Sequence, residues 1–565
     1  MAECHPVGYQ WVMEARERGA EIIHVDPRFT RTSATAHQHV PIRVGTDIAF
    51  LGALINHVLQ GEHWFREYVL AYTNAATIVH DDFQDVEELA GVFSGWDPEE
   101  GTYDPQSWGY KDSYFSAAAG QRGGEASHGA HGAGVEDRDP PETDETLEHP
   151  RCVMQVLRRH FARYTPELVE RVCGIPPEQF ARVADALVRN SGRDRTTTLV
   201  YSVGWTHHST GVQIIRAGSI LQLLLGNVGR PGSGVMALRG HAGIQGSTDI
   251  PTLFNILPGY LPMPESGRHT NLDEYLLDIT PPAGFWGHAH AYMASLLKAW
   301  WPGLSAEEAF ECLPQLTGDH SIYPTIAAMR DGDVDGFFVM GENPTVGSGN
   351  AKLHRLGMAN LKWLVVRDLQ LIESATFWKD GPEIETGELR TEDIGTEVFF
   401  LPAATHAEKE GTFTNTHRLL QWRHKAVEPP DDCRSELHFA YHLIRRVREK
   451  LAGSDTVRDR PVHELRWDYP TSGPNAEPDA GAVLREISGY RTDTGEQVAG
   501  YMDLEEDGST ACGCWIYSGC YADGVNQTAR RKPGAEQDWV AAEWGWAWPL
   551  NRRILYNRAS ADPEG

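Results

Sequence analysis

The sequence predicts an α/β protein: two doubly wound domains followed by an irregular C-terminal segment. Three observations lead there. Short strand-like runs alternate with longer helix-like runs. Each strand-like run ends in a polar turn marked by Gly or Pro. The alternation occurs twice, over residues 1–240 and again over 241–430, and fades from 431 to 565. Such alternation favours parallel sheets covered by helices.

In the first zone, the spacing of Val7, Trp11, Val12 and Ala15 predicts a helix ending at Gly19. A strand follows over Glu21–Asp26, and a helix runs from Thr46 and Asp47 to Gly61. Residues 113–148 are rich in Gly, Ala, Asp and Glu and have little to bury, so they read as a disordered or surface insertion. Its histidines, His128 and His131, and the adjacent His149 fit a solvated loop better than a metal site. The zone resumes with a strand over Thr198–Val203 and a long apolar helix that stops at Gly226. In the second zone, strands are expected over Gly336–Met340, Lys362–Val366 and Glu397–Leu401. The stretch 431–565 is polar, with Trp concentrated near its end.

Bulk properties narrow the function. Among 565 residues, 79 acidic against 50 basic side chains leave a net charge of −29, the wrong sign for nucleic acid or an anionic membrane surface as main partner. A hydrophobic content of 41% with 17 Trp suits a large packed core. No apolar run is long enough for a transmembrane helix, and the N-terminus lacks the basic and apolar regions of a signal peptide. It starts inside an α/β unit, which suggests a missing upstream part. The eight cysteines include no Cys-x-x-Cys. The one cluster, Cys512, Cys514 and Cys520, lacks zinc or iron–sulfur spacing and reads as buried thiols.

In open α/β sheets ligands bind beyond the carboxyl ends of strands, so the turns there carry the chemistry. After the first strand come Asp26, Arg28 and Thr30: an acid suited to ribose hydroxyls or a base edge, then groups suited to phosphate. Gly45, Thr46 and Asp47 open a helix, where Thr46 is equally an N-cap. The third turn runs through Gly204, Trp205, Thr206 and His207. Arg239 lies between two Gly-rich turns, 226–234 and 240–246, and can clamp a carboxylate through two parallel N–H···O bonds. Later turns carry Asn343, Asp368, the run 373–378, and the run 407–418 with Glu408 and Asn415. No Walker A loop, Gly-x-Gly-x-x-Gly strand–helix junction, zincin motif or nucleophile elbow is present, so simple nicotinamide enzymes and serine hydrolases lose support.

Taken in order, these segments resemble the molybdopterin oxidoreductase (dimethyl sulfoxide reductase) family, and within it the large subunit of respiratory-type formate dehydrogenases. HPVGYQWVMEA, VDPRFTRTSA, GTDIAFLGALINHVL, LLLGNVGRPGSGVMALRGHAGIQG, MGENP, FFLPAATHAEKEGTFTNTHRLLQW and GCWIYSG carry the likeness, which spans nearly the whole chain outside 113–148. The resemblance implies two Rossmann-like domains, each binding one molybdopterin guanine dinucleotide around a single Mo or W ion. Asp26, Arg28, Thr30, Gly45 and Asp47 would hold one guanosine and its phosphates. Gly204, Trp205, Thr206, His207 and Gln245 would approach the pterin end. Asn343, Asp368, Glu408 and Asn415 would hold the other dinucleotide. Arg239 matches the arginine that orients formate, which would be oxidised to carbon dioxide.

The family pattern also begins with a four-cysteine [4Fe–4S] motif and a metal-ligating selenocysteine or cysteine. Neither is in this chain, and Cys4 sits in a stretch that resembles the segment after the ligand. A start at Met1 just downstream of an in-frame UGA would explain this. The resemblance implies an iron–sulfur electron-transfer subunit as partner, with a membrane cytochrome beyond it, no nucleic acid and no direct membrane insertion. Localisation would be periplasmic or membrane-associated if an upstream twin-arginine signal exists, and cytoplasmic otherwise. Rival readings are a nitrate or polysulfide reductase of the same family, which LRGHAGIQG and TNTHRLLQW favour less, and a non-catalytic remnant.

Overall fold

The structure, a computed structural model, describes residues 1–111, 141–281, 284–416, 418–530 and 545–549. The chain divides after Arg239 into two compact units.

In the first unit the order is α1 (Pro6–Glu17), β1 (Ile23–Val25), α2 (Arg31–Thr35), β2 (Gln38–Val40), α3 (Asp47–Gln60), β3 (Thr198–Tyr201), α4 (Gly211–Leu224) and β4 (Gly234–Ala237). β1 pairs with β2 and β3 with β4, both parallel. Parallel neighbours need a long crossover, and here helices supply it. α3 is apolar nearly all round because it is enclosed nearly all round. Phe50, Leu51, Leu54, Ile55 and Val58 are buried against α4 and against helices Val153–Phe161 and Pro166–Cys173. Each such side chain contributes about 1.5–3 kcal/mol when fully buried. Gly52 admits the Tyr164 ring, which a Cβ would approach to 2.8 Å.

The expected first helix forms as α1, with Val12 and Ala15 part-buried and the rest of its apolar stripe facing outward. Val7 and Trp11 are 74% and 66% exposed, and the helix is held instead by Tyr9, whose hydroxyl bonds to Thr35. Thr46 occupies the cap position of α3 without capping it, since its hydroxyl donates back to the Arg43 carbonyl at 2.7 Å. The expected insertion falls mostly outside the described residues, but its last part, 141–148, is folded. Asp144 gathers the backbone N–H groups of Thr146, Glu148 and His149, Thr143 bridges to Thr77, and Leu147 is buried. One carboxylate satisfying three donors builds a turn that composition alone does not reveal. The Thr146 hydroxyl, which donates to Asp144 at 2.6 Å, and then those N–H groups hold the Asp144 carboxyl at about 2.

The second unit contains α5 (Ile244–Asp249), β5 (Gly336–Met340), α6 (Ala351–Ala359), β6 (Trp363–Asp368), α7 (Glu373–Asp380), β7 (Glu397–Pro402), β8 (Gly411–Thr414), β9 (Leu419–Arg423) and α8 (Glu436–Leu451). β7, β6 and β5 form a parallel sheet in that order, with Trp363 beside both Gly336 and Glu397. Alternate residues Val339, Leu364 and Val366 pack beneath Met358 and Phe377. The other face carries Phe338, which meets Phe439 of α8 edge-on at 6.1 Å. β8 and β9 form an antiparallel hairpin.

Residues beyond 431 join this unit's largest core. Trp515 stacks on Tyr292 with centroids 4.2 Å apart, and Leu484, Ile516 and Tyr517 pack among Tyr275, Met293 and Leu296. Cys512, Cys514 and Cys520 are buried in that core, and burial pushes the Cys512 and Cys520 thiols up to about 12. Among the described residues, no helix is long and apolar enough to cross a membrane, and no group of three His, Cys, Asp or Glu side chains could hold a metal ion.

Gly226 ends α4 in the left-handed region at φ +71°, and a Cβ there would lie 2.4 Å from the Phe65 ring. Gly226→Ala should therefore destabilise the protein by about 1–3 kcal/mol, from left-handed strain plus overpacking. Urea unfolding checks this, and an unchanged midpoint would mean that Phe65 yields freely.

Candidate dinucleotide and substrate sites

In the first unit the predicted residues gather at two strand ends. β1 delivers Asp26, whose Oδ1 accepts the Arg28 backbone N–H at 2.8 Å, and His24 Nε2 lies 3.6 Å from its Oδ2. The Arg28 side chain is 77% exposed, with only Glu3 within reach at 3.6 Å among the described residues. Thr30 caps α2: its hydroxyl accepts from Thr32 N–H, and its own N–H donates to Ser33 Oγ. A capping box accounts for this threonine locally, while Asp26 and Arg28 point a carboxylate and a guanidinium outward.

β3 delivers the second group. Val203–Thr206 forms a single helical turn, and Trp205 folds back onto Tyr201, stacked at 5.0 Å and 16°. The indole lies against α4 at Gly218, where a Cβ would come within 3.1 Å of the ring. From there it meets Asp47, the first residue of α3. Burial raises the Asp47 carboxyl, while its own backbone N–H, the nearby His208 and the Trp205 indole pull it back. Gly45, just before α3, has φ +83°, and among the described residues no atom beyond its chain neighbours lies within 4 Å of where a Cβ would stand. Gly204 is equally open, and Thr206 and His207 are exposed. Arg239 is exposed, with no hydrogen-bond or ion-pair partner among the described residues.

In the second unit the ends of β5 and β6 lie side by side, with Arg367 opposite Met340. Asn343 joins the turn after β5 to the start of α7. Its Nδ2 donates to Glu373 at 2.6 Å, and its Oδ1 accepts from Ser374 N–H, Ser374 Oγ and Thr345 Oγ1. Asp368 accepts the Leu369 N–H at 2.7 Å and is otherwise part-exposed. Glu408 closes a capping box with Thr405. Asn415 shapes the turn between β8 and β9, accepting from Leu419 and Arg418 N–H groups. Gln245 donates to Asp249 at 3.0 Å and to the Tyr260 hydroxyl at 2.7 Å. Gly246 sits so close to Thr414 that a Cβ would be 3.1 Å from it, which places Gln245 beside the 411–415 strand and turn.

The model of the molybdopterin oxidoreductase family matches residues 1–377 and 399–446. This chain belongs to that family. The formate dehydrogenase-O major subunit of Escherichia coli is 37% identical over all of this chain and 55% of its own length. The formate dehydrogenase subunit alpha of Megalodesulfovibrio gigas is 37% identical over all of this chain and 54% of its own. The chain thus spans about half the length of these relatives. Among solved structures, acetylene hydratase from Pelobacter acetylenicus aligns with a TM-score of 0.40 at 14% identity, covering 81% of this chain and 48% of that one.

Two residues outside the predicted set belong to these clusters: Glu373 on Asn343, and Asp249 on Gln245. Glu373 lies within a turn that the sequence singles out. Asp249 follows Gln245 by four residues, the spacing that puts two side chains on one helical face.

A half-buried carboxylate with a raised pKa weakens the fold once it ionises, because the native state then holds its proton more tightly than the unfolded chain. The penalty is absent below the ordinary value of 3.8 and complete above the raised one. Asp47→Asn should therefore raise the thermal midpoint at neutral pH and leave it unchanged near pH 3. Equal effects at both pH values would contradict this.

Proposed function

We propose that this chain belongs to a formate dehydrogenase catalytic subunit, holding two molybdopterin guanine dinucleotides and oxidising formate to carbon dioxide. The observation that carries the reading is the 37% identity to formate dehydrogenase large subunits over the entire chain. An exposed Arg239, unpaired among the described residues, fits it chemically.

The residues fit the cofactor. Asp26 and Asp47 offer acceptors to the N–H groups of a guanine and to ribose hydroxyls, and Arg28 offers a cation to phosphate. Among the described residues nothing lies within 4 Å of the Cβ positions that Gly45, Gly204 and Gly240 lack, so a ligand can reach each of them. Asn343, Asp368, Glu408 and Asn415 would hold the second dinucleotide, and Trp205, Thr206, His207 and Gln245 would face the pterin ends. When bound, the Mo or W centre supplies the two-electron chemistry. Arg239 binds the formate carboxylate by two parallel N–H···O bonds and so directs its C–H bond. The electrons leave through an iron–sulfur partner subunit.

In the complete enzyme, Arg239→Ala should lower kcat/KM for formate about a hundredfold or more, the scale of a lost charge-assisted clamp, with metal content unchanged. Steady-state kinetics with metal analysis tests this. Undiminished turnover would remove Arg239 from the mechanism, and a metal-free parent would overturn the function.

A further inference from the structure

We propose that the hairpin spanning Trp96 to Tyr103 is a docking platform for a partner subunit that presents arginine and lysine side chains. The inference goes beyond the proposed function by assigning where a partner docks, and it rests on that reading only for the existence of one.

Four aromatic rings meet on this hairpin, in which Trp96–Asp97 pairs antiparallel with Thr102–Tyr103. Tyr103 is the centre of the group. The Trp96 ring centroid lies 4.8 Å from it, and those of Phe93 and Trp108 lie 6.0 Å from it. Rings in such a cluster are core material, yet Phe93 is 60% exposed, Trp108 45% and Trp96 37%. Large apolar side chains scattered singly over a surface need no explanation, whereas a contiguous group marks a contact surface.

The rings are held before any contact is made. Trp108 Nε1 donates to the Ser94 carbonyl at 2.7 Å, and the buried Ser94 hydroxyl is bonded to that of Ser107 at 2.6 Å. The Asp104 N–H donates to the Gly95 carbonyl at 2.8 Å. Gly95 turns at φ +80°, and a Cβ there would run into the Asp104 carbonyl oxygen. Asp97 accepts the N–H groups of Glu99 and Glu100 at 2.8 and 3.2 Å, which sets the tip of the hairpin. Groups fixed in advance lose little freedom on binding.

Charge says what binds. From 81 to 110, nine residues are Asp or Glu and none is Lys, Arg or His. Asp85 and Glu87 are answered by Arg159 and Arg163. Glu88, Glu99 and Glu100 are exposed, with no ion-pair partner among the described residues. Glu99 and Glu100 stand on the tip of the same hairpin that carries Trp96 and Tyr103. Arginine suits both features at once, since its guanidinium stacks on an aromatic face and pairs with a carboxylate. Trp, Tyr and Arg are also the side chains that dominate binding energy at protein interfaces. The same negative charge repels nucleic acid and anionic lipid. A two-fold dimer would set the patch against itself, carboxylates facing carboxylates. A basic protein surface is the occupant that remains.

The test uses the holoenzyme purified with its partner subunits, and the same enzyme carrying Glu99→Lys/Glu100→Lys. Both glutamates are exposed on a turn, so the thermal midpoint should not move. Hydroxyl-radical footprinting reads the oxidation of Phe93, Trp96 and Trp108, and a carbodiimide joins carboxylates to amines in direct contact. In the parent the rings should be protected, with Glu99 or Glu100 coupled to a lysine of another subunit. In the double variant that subunit should be retained about tenfold less, and the rings should be oxidised. Trp96→Leu should weaken retention in the same way, while Trp96→Tyr, which keeps an aromatic face, should preserve it. The inference is overturned by freely oxidised rings in the parent, by coupling only within this chain or to a second copy of it, or by full retention of the subunit in the double variant or in Trp96→Leu. Formate turnover is measured on the same parent sample. An active enzyme with open rings overturns the inference alone, and covered rings on an enzyme that does not oxidise formate overturn the proposed function alone.

Discussion

Parallel strands cannot be joined by a tight turn, and this constraint organises the molecule. Each strand must be followed by a crossover, and each crossover begins with a polar turn at the strand's carboxyl end. β1 ends in Asp26, β3 in the 202–207 turn, β5 in Asn343 and β6 in Asp368. Carboxylates, amides and free backbone groups therefore collect at the same end of each sheet. The hydrophobic faces that drive the packing lie elsewhere, on α3, α4, α6 and α7. Folding and ligand binding draw on different surfaces of the same elements, so a family can vary its turns without losing its core.

Several candidate ligands serve two purposes. Thr30 caps α2, Glu408 closes a capping box, and Asn343 bonds to four groups that tie a turn to the start of α7. Such side chains are held in one orientation before any ligand arrives, and that lowers the ordering cost of binding. Asp47 and Asp249 work the other way. Each is a carboxylate kept where burial disfavours its charge. Arrangements of that kind weaken a fold and are retained where recognition needs them.

The segment beyond 431 changes how the second unit is understood. It begins with the 16-residue α8, and further on Trp515 and Tyr517 complete the aromatic core and reach beneath α5. Cys512, Cys514 and Cys520 are thiols in an apolar interior, where their neutral form is favoured.

Much of this was legible in the sequence. The strand runs at 336–340, 363–368 and 397–402 stand within two residues of where pattern places them, because short apolar runs bounded by turn residues are what a helix-covered parallel sheet demands. The turns that follow them were legible for the same reason, along with the family that their order resembles. Other features were settled only by tertiary structure. Val7 and Trp11 on the apolar stripe of α1 stay exposed because burial depends on what packs against a helix, not on its periodicity. Residues 141–148 fold because a single aspartate satisfies several backbone donors. The buried cluster of Gln245, Asp249, Tyr260 and Tyr517 forms only because segments far apart in sequence meet. Local pattern determined the elements and their chemical ends, and long-range contacts decided what those ends meet.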